Sequence, residues 1–205
     1  MLYENLPRHP DLKASGWHSR GYLPHFDGRE VPQFITWRLF DSVPATVIER
    51  WVRELASPNS GYDQVALQNR IERYLDQGFG AVFLKNPQIA QSVQDDLLSY
   101  DGVSWRMSAW VIMPNHIHIL ATRFNTATIS GIMQSMKSLT SHKVNKLLRR
   151  RGRVWMPDYF DRYIRNGKHF AKTVSYIEHN PVKAGLCQKP EDWPFSSARF
   201  RQTAV

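Results

Sequence analysis

The sequence contains a single cysteine, Cys187, and therefore has little capacity for thiol chemistry. A lone cysteine excludes an intramolecular disulfide and a zinc site built from several thiolates. The chain also lacks an apolar run long enough to span a membrane, and no signal-peptide pattern opens it. Internal repeats and low-complexity tracts are missing as well. We therefore expect a cytoplasmic protein of 205 residues with one sizeable core and no membrane partner.

Acidic residues are missing from the most basic part of the chain. The net charge is +9, but residues 1–130 carry 12 Lys and Arg against 13 Asp and Glu, whereas residues 131–205 carry 15 against 5. A solvated surface usually mixes both signs, so a long run of one sign favours a polyanionic partner such as nucleic acid. The run contains seven basic residues and no acid, namely Lys137, Lys143, Lys146, Arg149, Arg150, Arg151 and Arg153.

Hydrophobic periodicity predicts the order strand, helices, strand, strand, helix, strand, helix. The predicted strands are 33–40, 104–113, 116–122 and 155–163. The predicted helices begin at Pro44 and continue with 64–77, 87–99, 129–150 and 168–180, the last of which is stopped by Pro181. This order is that of an α+β fold with a ferredoxin-like β-α-β-β-α-β core, in which helices cover an antiparallel sheet.

Three parts of the chain follow from this pattern. Residues 1–32 are rich in Pro, Gly, His and Arg and predict an irregular N-terminal arm. Residues 33–186 form the predicted domain, with a helical insert at about 43–99, and residues 187–205 form a C-terminal tail. The helix at 129–150 is amphipathic, and its predicted inner stripe is Ile132, Met136, Leu139, Val144 and Leu147.

Two histidines stand one residue apart in the apolar run MPNHIHIL, residues 113–120. Side chains alternate along a strand, so His116 and His118 project from one face and the two isoleucines from the other. Two neutral imidazoles side by side form half of a site for a divalent metal ion. The ordinary alternative is a strand with two polar residues on a solvent-facing side, and the pattern alone leaves both open.

A second pair of polar side chains closes the last predicted helix. Tyr176 and Asn180 are four residues apart and therefore lie on one helix face. Each has an ordinary explanation, as a boundary aromatic and as a helix stop. With the histidines and the basic run, however, they are the parts of a metal-dependent phosphoryl-transfer site, in which a tyrosine hydroxyl attacks phosphorus. Tyr159 and Tyr163 are nearby in sequence, but neither shares a helix face with a potential metal ligand.

Several motifs resemble the REP-associated tyrosine transposases, which are relatives of the single-tyrosine HUH transposases of the IS200 type. The motifs are LPHFD (23–27), QFITWRL (33–39), WVIMPNHIH (110–118), YFDRYIRN (159–166), YIEHNPVKAGL (176–186) and WPFSSA (193–198). The HIH triplet alone is a weak signal. Placed after MPN and followed by the YIxxNPVKAG pattern it is specific, and the resemblance covers most of the chain.

The resemblance implies both a site and an activity. His116 and His118 take the place of the family's metal ligands, Asn180 supplies a third ligand, and Tyr176 is the nucleophile, with Mg²⁺ or Mn²⁺ as the cofactor. The family cleaves single-stranded DNA beside short palindromic hairpins and forms a 5′-phosphotyrosine link, and it implies no external base. We expect a nucleoid-associated transposase that acts as a monomer on REP-type hairpins. Further predicted DNA contacts are Arg162, Arg165, Lys172 and Lys183.

Two other functions stay open. A protein of the same family can bind hairpin DNA with little or no cleavage. A ferredoxin-like RNA-binding module would stack bases on aromatic side chains of the sheet, for which the candidates are Trp37, Trp105, Trp110 and Phe124. Residues 43–77 of the insert exceed what a minimal version of the fold needs, and the sequence assigns them no role.

Overall fold

The computed structural model describes residues 17–19, 24–26, 30–57, 61–123 and 126–201. Most of the predicted arm, part of the predicted helix break at 57–61, Phe124 and residues 202–205 of the tail lie outside the described residues. The strands are β1 (Trp17–Ser19), β2 (Pro24–Phe26), β3 (Pro32–Arg38), β4 (Ala56–Ser57), β5 (Gly61–Tyr62), β6 (Trp105–Ile112), β7 (His116–Arg123) and β8 (Phe160–Tyr163). The helices are α1 (Ala45–Leu55), α2 (Gln64–Asp76), α3 (Pro87–Ser99), α4 (Ile129–Leu147), α5 (Gly167–Lys183) and α6 (Ala198–Arg201). None of these described helices is long and apolar enough to cross a membrane.

Four strands form the central sheet in the order β6-β7-β3-β8, and each neighbouring pair is antiparallel. The insert helices lie between β3 and β6 in the chain, and α4 lies between β7 and β8. This is the ferredoxin-like arrangement, so the predicted α+β fold is confirmed. The register places Thr36 of β3 opposite His118 of β7, and Arg38 opposite His116.

Both faces of the sheet are covered. One face packs Ile35 and the neighbouring odd-numbered residues of β3 and β7 against α3 and α4. The other face packs Phe34 against Ile177 of α5, and the alternation of β7 turns both histidines towards this second face. The three described tryptophans of the RNA alternative, Trp37, Trp105 and Trp110, are each no more than 5% exposed. They are core residues, which argues against a base-stacking platform on this sheet.

The inner stripe of α4 differs from the prediction at two positions. Leu139 and Leu147 are 40% and 47% exposed, whereas Thr140 is buried. The buried row follows steps of four residues, at 132, 136, 140 and 144, so a leucine at 139 or 147 falls to its side. Trp155 Nε1 donates a hydrogen bond to the Thr140 hydroxyl at 2.8 Å. A polar residue is therefore satisfied inside the core, which hydrophobic periodicity cannot foresee.

Two predicted boundaries also differ from the structure. Helix α5 continues through Pro181 to Lys183, so the prediction that Pro181 ends the helix is wrong. The proline lies in the last turn, where its fixed φ is compatible with the helix and the one hydrogen bond that it cannot donate is lost close to the helix end. The strand predicted at 155–163 is reduced to β8, and Trp155 instead forms an isolated bridge with Leu39.

The outer strands of the sheet are covered by the tail and by the described part of the arm. Along β6, the N–H of Ile112 donates to the carbonyl of Phe195, and the N–H of Ser197 donates to that of Trp110, both at 2.9 Å. On the opposite side, the N–H of Phe26 in β2 donates to the carboxylate of Asp161 in β8 at 2.9 Å. An edge that is occupied in this way is protected from pairing with another sheet.

Helices α1 and α2 of the insert form an antiparallel pair joined by the short β4–β5 hairpin. Trp51 of α1 packs edge-on against Tyr74 of α2, with ring centroids 5.7 Å apart. Glu54 of α1 forms an ion pair with Arg70 of α2. Asp63 caps α2, because its side chain accepts the third amide of the helix. Helices α1 and α2 are thus held together by their own contacts.

Candidate active site

The two histidines of β7 lie side by side in the interior. His116 and His118 are 0% exposed, and their Nε2 atoms are 3.0 Å apart. The ring centroids are separated by 4.5 Å. The strand therefore brings the imidazoles together as expected, and it does so on the buried face beneath α5. The alternative of two polar side chains on a solvent-facing strand is excluded.

Each imidazole is oriented through its Nδ1 atom. Nδ1 of His116 lies 2.6 Å from Asn115 Oδ1, and Nδ1 of His118 lies 2.7 Å from Thr36 Oγ1. The Nδ2 of Asn115 donates to two backbone carbonyls of the segment 75–79, at 3.0 and 3.3 Å, so its Oδ1 must accept the Nδ1 proton of the histidine. His116 consequently presents an unprotonated Nε2. The Thr36 hydroxyl both donates and accepts, so it supports either tautomer of His118.

Both imidazoles are held neutral. Burial lowers the pKa of His116 to about 3, and the charge of Lys183 adds to this effect. Burial, followed by His116 and Lys183, places the pKa of His118 well below its usual value. A metal ion binds the neutral form of imidazole through its lone pair, so the site is ready to bind a cation without first losing a proton.

Tyr176 of α5 lies beside the histidine pair. Its ring centroid is 5.4 Å from that of His118 and 5.9 Å from that of Phe34. Its hydroxyl donates to Glu72 Oε2 at 3.3 Å. Burial, together with the negative charges of Glu72 and Asp76, raises the pKa of Tyr176 above its usual value. The hydroxyl is therefore protonated at neutral pH, and attack on phosphorus requires that its proton be removed.

The other two tyrosines that the sequence brought near the site belong to different surroundings. Tyr159 is buried and stacks on His25, with ring centroids 4.4 Å apart. Tyr163 packs on Phe26 at 5.2 Å. Of these three tyrosines, Tyr176 is the one that lies against the histidines, and it stays the predicted nucleophile.

Asn180 follows Tyr176 by one helical turn. It is 0% exposed, and neither its Oδ1 nor its Nδ2 makes a well-formed hydrogen bond within the described residues. A buried amide without partners points to an unmet ligand. Among the described residues no three His, Cys, Asp or Glu side chains are grouped to hold a metal. An ion bound by His116 and His118 would therefore need an oxygen such as that of Asn180, and this donor set fits Mg²⁺ or Mn²⁺.

A cleft of about 250 Å³ opens beside Tyr176 and is lined in part by Arg162 and Lys172. His169 also lines it, and its pKa is lowered by burial and then by the charges of Arg165, Arg162 and Lys172. Three of the cations predicted from the sequence therefore lie around one imidazole at the mouth of the candidate site. A cleft with this charge favours a phosphate-bearing ligand.

Three other predicted DNA contacts are engaged inside the chain. The ammonium of Lys137 donates to the backbone carbonyls of residues 156–158 at 2.9 to 3.1 Å. Lys143 and Lys183 form ion pairs with carboxylates of α3 and α2, respectively. Lys143 and Lys183 are about half exposed, at 44% and 55%, so their charge still reaches solvent.

The remaining predicted contacts surround the end of α4. The guanidinium of Arg150 lies 4.8 Å from the ring centroid of Phe83, and that of Arg153 lies 5.4 Å from the ring of Phe40. The last three cations of this group, Lys146, Arg149 and Arg151, are exposed and stay predicted DNA contacts.

Four side chains near the site were not identified from the sequence. Thr36 and Arg38 alternate with Phe34 on the site-facing side of β3, and this alternation is a signal that points to them. Burial lowers the pKa of Arg38 to about 10, which leaves it charged at neutral pH beside the histidines. Asn115 and Glu72 have no such signal, because Asn115 bonds to carbonyls about 40 residues away and Glu72 to a hydroxyl 104 residues away.

Part of the chain is similar in sequence to known transposases. Residues 99–180 match the family model described as "Transposase IS200 like". Over 94 residues the chain is 31% identical to a REP-associated tyrosine transposase of Escherichia coli (strain K12), covering 45% of this chain and 54% of that protein. A putative REP-associated tyrosine transposase of Haemophilus influenzae (strain ATCC 51907 / DSM 11121 / KW20 / Rd) is 30% identical over 96 residues, covering 42% and 54%. The chain thus spans about half the length of these curated relatives.

A solved structure extends the similarity to the whole fold. It is of a REP-associated tyrosine transposase bound to a REP hairpin, and it superposes with a TM-score of 0.57 over 88% of this chain and 84% of that one, at 19% identity. The sheet and helices therefore resemble the fold of that transposase, and residues 99–180 resemble the IS200-like transposase family. Part of the chain also resembles the REP-associated tyrosine transposases, as its motifs predicted.

Proposed function

We propose that this protein is a metal-dependent endonuclease and strand transferase that cuts single-stranded DNA beside palindromic hairpins of the REP type. The observation that carries the proposal is the position of Tyr176, whose ring lies 5.4 Å from that of the buried His118, on a helix whose next turn holds the buried amide of Asn180. The hairpin is suggested by the relative that was solved with a REP hairpin bound.

In the proposed reaction, His116, His118 and Asn180 would hold a divalent ion, which when bound polarises the scissile phosphate and offsets its developing charge. Helix α5 carries Tyr176 Oη to phosphorus. As the Oη–P bond forms, the bond from phosphorus to the 3′ oxygen breaks, leaving a 5′-phosphotyrosine and a 3′-hydroxyl. Attack by a 3′-hydroxyl on the phosphotyrosine reverses these steps and rejoins a strand. Arg162 and Lys172 bind phosphates that flank the break.

We also propose that one chain suffices. The histidines, Tyr176 and Asn180 come from the same chain, and the outer strands β6 and β8 are occupied by the tail and the arm. A protein that acts on genomic palindromes in this way would be found at the nucleoid. The alternative is a hairpin binder without cleavage. It gives no role to Tyr176 or to the candidate metal ligands beside it.

The test uses single-stranded oligonucleotides that carry palindromic hairpins with their flanks, taken from repeats of the source genome. With Mg²⁺ or Mn²⁺, the wild-type protein is expected to cut the flank and to form a covalent protein–DNA adduct, visible in a denaturing gel. Tyr176→Phe removes one oxygen, and His116→Ala removes one candidate ligand. Both variants should lose the adduct and retain hairpin binding, and a chelator should abolish cutting by the wild type.

Peptide mapping of the adduct assigns the nucleophile. An adduct on Tyr159 or Tyr163 would keep the reaction class and move the nucleophile. If the wild type binds hairpins and forms no adduct with either metal, the proposal fails and the DNA-binding alternative replaces it.

A further inference from the structure

Helix α2 of the insert reaches the nucleophile. The Tyr176 hydroxyl donates to Glu72 Oε2 at 3.3 Å, and this contact joins residues 104 positions apart in the chain. Hydrogen bonds of catalytic groups are often long before the substrate binds and tighten afterwards. The part of the insert to which the sequence assigned no role therefore supplies a direct partner to the attacking oxygen.

Glu72 is held in place by contacts along α2. Gln68 Nε2 donates to Glu72 Oε1 at 3.3 Å, so the two carboxylate oxygens have different partners. One turn further on, Asp76 pairs with Lys183 of α5 at 2.5 Å. The last turn of α2 and the loop after it each accept one hydrogen bond from Asn115, the residue that orients His116. Helix α2 is thus fixed to both α5 and the histidine strand, which sets the distance between Glu72 and Tyr176.

The surroundings of Glu72 suit proton transfer rather than a structural ion pair. Among the described residues no basic side chain forms an ion pair with it. Burial, aided by the charge of Asp76, raises the pKa of Glu72, while Gln68, Tyr176 and Arg162 oppose the rise. A carboxylate with a raised pKa is a better proton acceptor at neutral pH than an exposed one.

We infer that Glu72 accepts the hydroxyl proton of Tyr176 as the tyrosine oxygen attacks phosphorus, an inference that rests on the proposed function. The Oη–H bond breaks, the proton passes to Glu72 Oε2, and the freed electron pair forms the Oη–P bond. The bond from phosphorus to the 3′ oxygen breaks, and that oxygen leaves with its electron pair and takes a proton from solvent. Glu72 ends neutral and returns the proton to Oη when a 3′-hydroxyl displaces the tyrosine and releases its own proton to solvent.

Glu72→Gln tests this role with little change in shape. The amide oxygen of glutamine can still accept the tyrosine hydrogen bond, but it cannot take the proton. At saturating hairpin oligonucleotide and metal, we expect the single-turnover rate of adduct formation to fall by about 100-fold or more, with hairpin binding unchanged. The matched control is Glu54→Gln, because Glu54 belongs to the same insert, is also a glutamate and pairs with Arg70 away from the site. This control should retain the wild-type rate.

A second measurement separates proton transfer from positioning. Incorporation of 3,5-difluorotyrosine at position 176 lowers the pKa of the hydroxyl and reduces its need for a base. In the Glu72→Gln background this replacement should raise the rate of adduct formation at least about 10-fold. In the wild type it should not raise the rate. A role in folding or in holding the ring would not be rescued in this way.

The outcomes are distinct. A Glu72→Gln rate equal to that of the wild type, or a slow variant that difluorotyrosine does not rescue, overturns the inference while leaving the nuclease intact. The absence of an adduct in the wild type overturns the proposed function itself. A slow Glu72→Gln variant that difluorotyrosine rescues, with a normal Glu54→Gln control, supports Glu72 as the proton acceptor.

Discussion

At the scale of single residues, His25 shows how one buried side chain ties the arm to the domain. It is 1% exposed and lies between Asp161 Oδ1 at 2.5 Å and Asp158 Oδ1 at 3.1 Å. Burial disfavours its charged form, but hydrogen bonds to both aspartates and their negative charge outweigh burial and raise the pKa of His25 to about 9. At neutral pH the protonated imidazole therefore links β2 to β8.

We predict that this link stabilises the fold at acidic and neutral pH and is lost in alkali. Because the folded-state pKa lies above the usual value of 6.5, the stabilisation is fully present below pH 6.5 and disappears as the pH rises through about 9. The link should contribute about 3 kcal/mol to the free energy of unfolding. Urea unfolding of the wild type and of His25→Gln measures this contribution. The difference between their free energies of unfolding should become smaller as the pH rises. A difference that does not change with pH would contradict the assignment.

Sequence patterns identified the residues that carry the proposed chemistry more readily than those that orient them. Alternation on a strand is a local property, and it predicted that His116 and His118 share a face. Asn115 was noted only as part of the motif that precedes them. Its orienting role depends on backbone carbonyls at 75 and 79, which tertiary packing brings to it. No local pattern contains that information.

At the scale of elements, the basic segment at the end of α4 separates into two kinds of residue. Arg149 and Arg151 are exposed, whereas Lys143 pairs with Asp96 of α3. We expect Arg149→Gln and Arg151→Gln each to weaken binding to all hairpins alike and to reduce the slope of log affinity against log salt by about one unit. Filter binding across a salt series measures this slope.

Lys143→Gln is the contrasting variant. Asp96 is 5% exposed, and its second carboxylate oxygen has no partner within the described chain. Loss of the lysine leaves a buried carboxylate uncompensated, so we expect the free energy of unfolding to fall by about 1–3 kcal/mol. The change in salt slope should be smaller than that of Arg149→Gln or Arg151→Gln. If Lys143→Gln changes the slope as much as Arg149→Gln and leaves stability intact, the ion pair has no structural importance.

The helices themselves were predictable to within a few residues, because their apolar spacing is strong. Helix α3 begins and ends as predicted, at Pro87 and Ser99, and α2 differs by one residue at its end. Apolar spacing does not indicate which neighbouring element a helix packs against. Glu72 occupies an ordinary polar position on α2, and only the docking of α2 beside α5 brings it to Tyr176.

At the scale of the whole molecule, the proposed site is complete in one chain. We predict that a mixture of His116→Ala and Tyr176→Phe proteins will not cut a hairpin oligonucleotide, because neither chain contains a full site and none is shared between chains. The measurement is adduct formation by the mixture, with wild type diluted by either variant as the control. Recovered cleavage in the mixture would show that two chains exchange helices, despite the covered outer strands.

The global arrangement was predictable in outline and not in detail. The order of strands and helices leaves few topologies, and the ferredoxin-like one was expected from it. The coverage of β6 by residues 195–197 and of β8 by β2 follows from backbone hydrogen bonds and an ion triad over long sequence separations. Such contacts have no periodic signature, so the pattern predicted only an irregular arm at 1–32 and a tail at 187–205.

The position of β3 in the sheet has a consequence for how the protein is made. This strand lies between β7 and β8, which are encoded far downstream of it. A chain emerging from the ribosome therefore carries β3 without either neighbour until about residue 123, and without α5 until still later. The histidines are translated before the tyrosine that would attack DNA. A nascent chain thus has no assembled candidate site, and the site is completed only when the helix that bears Tyr176 has left the ribosome.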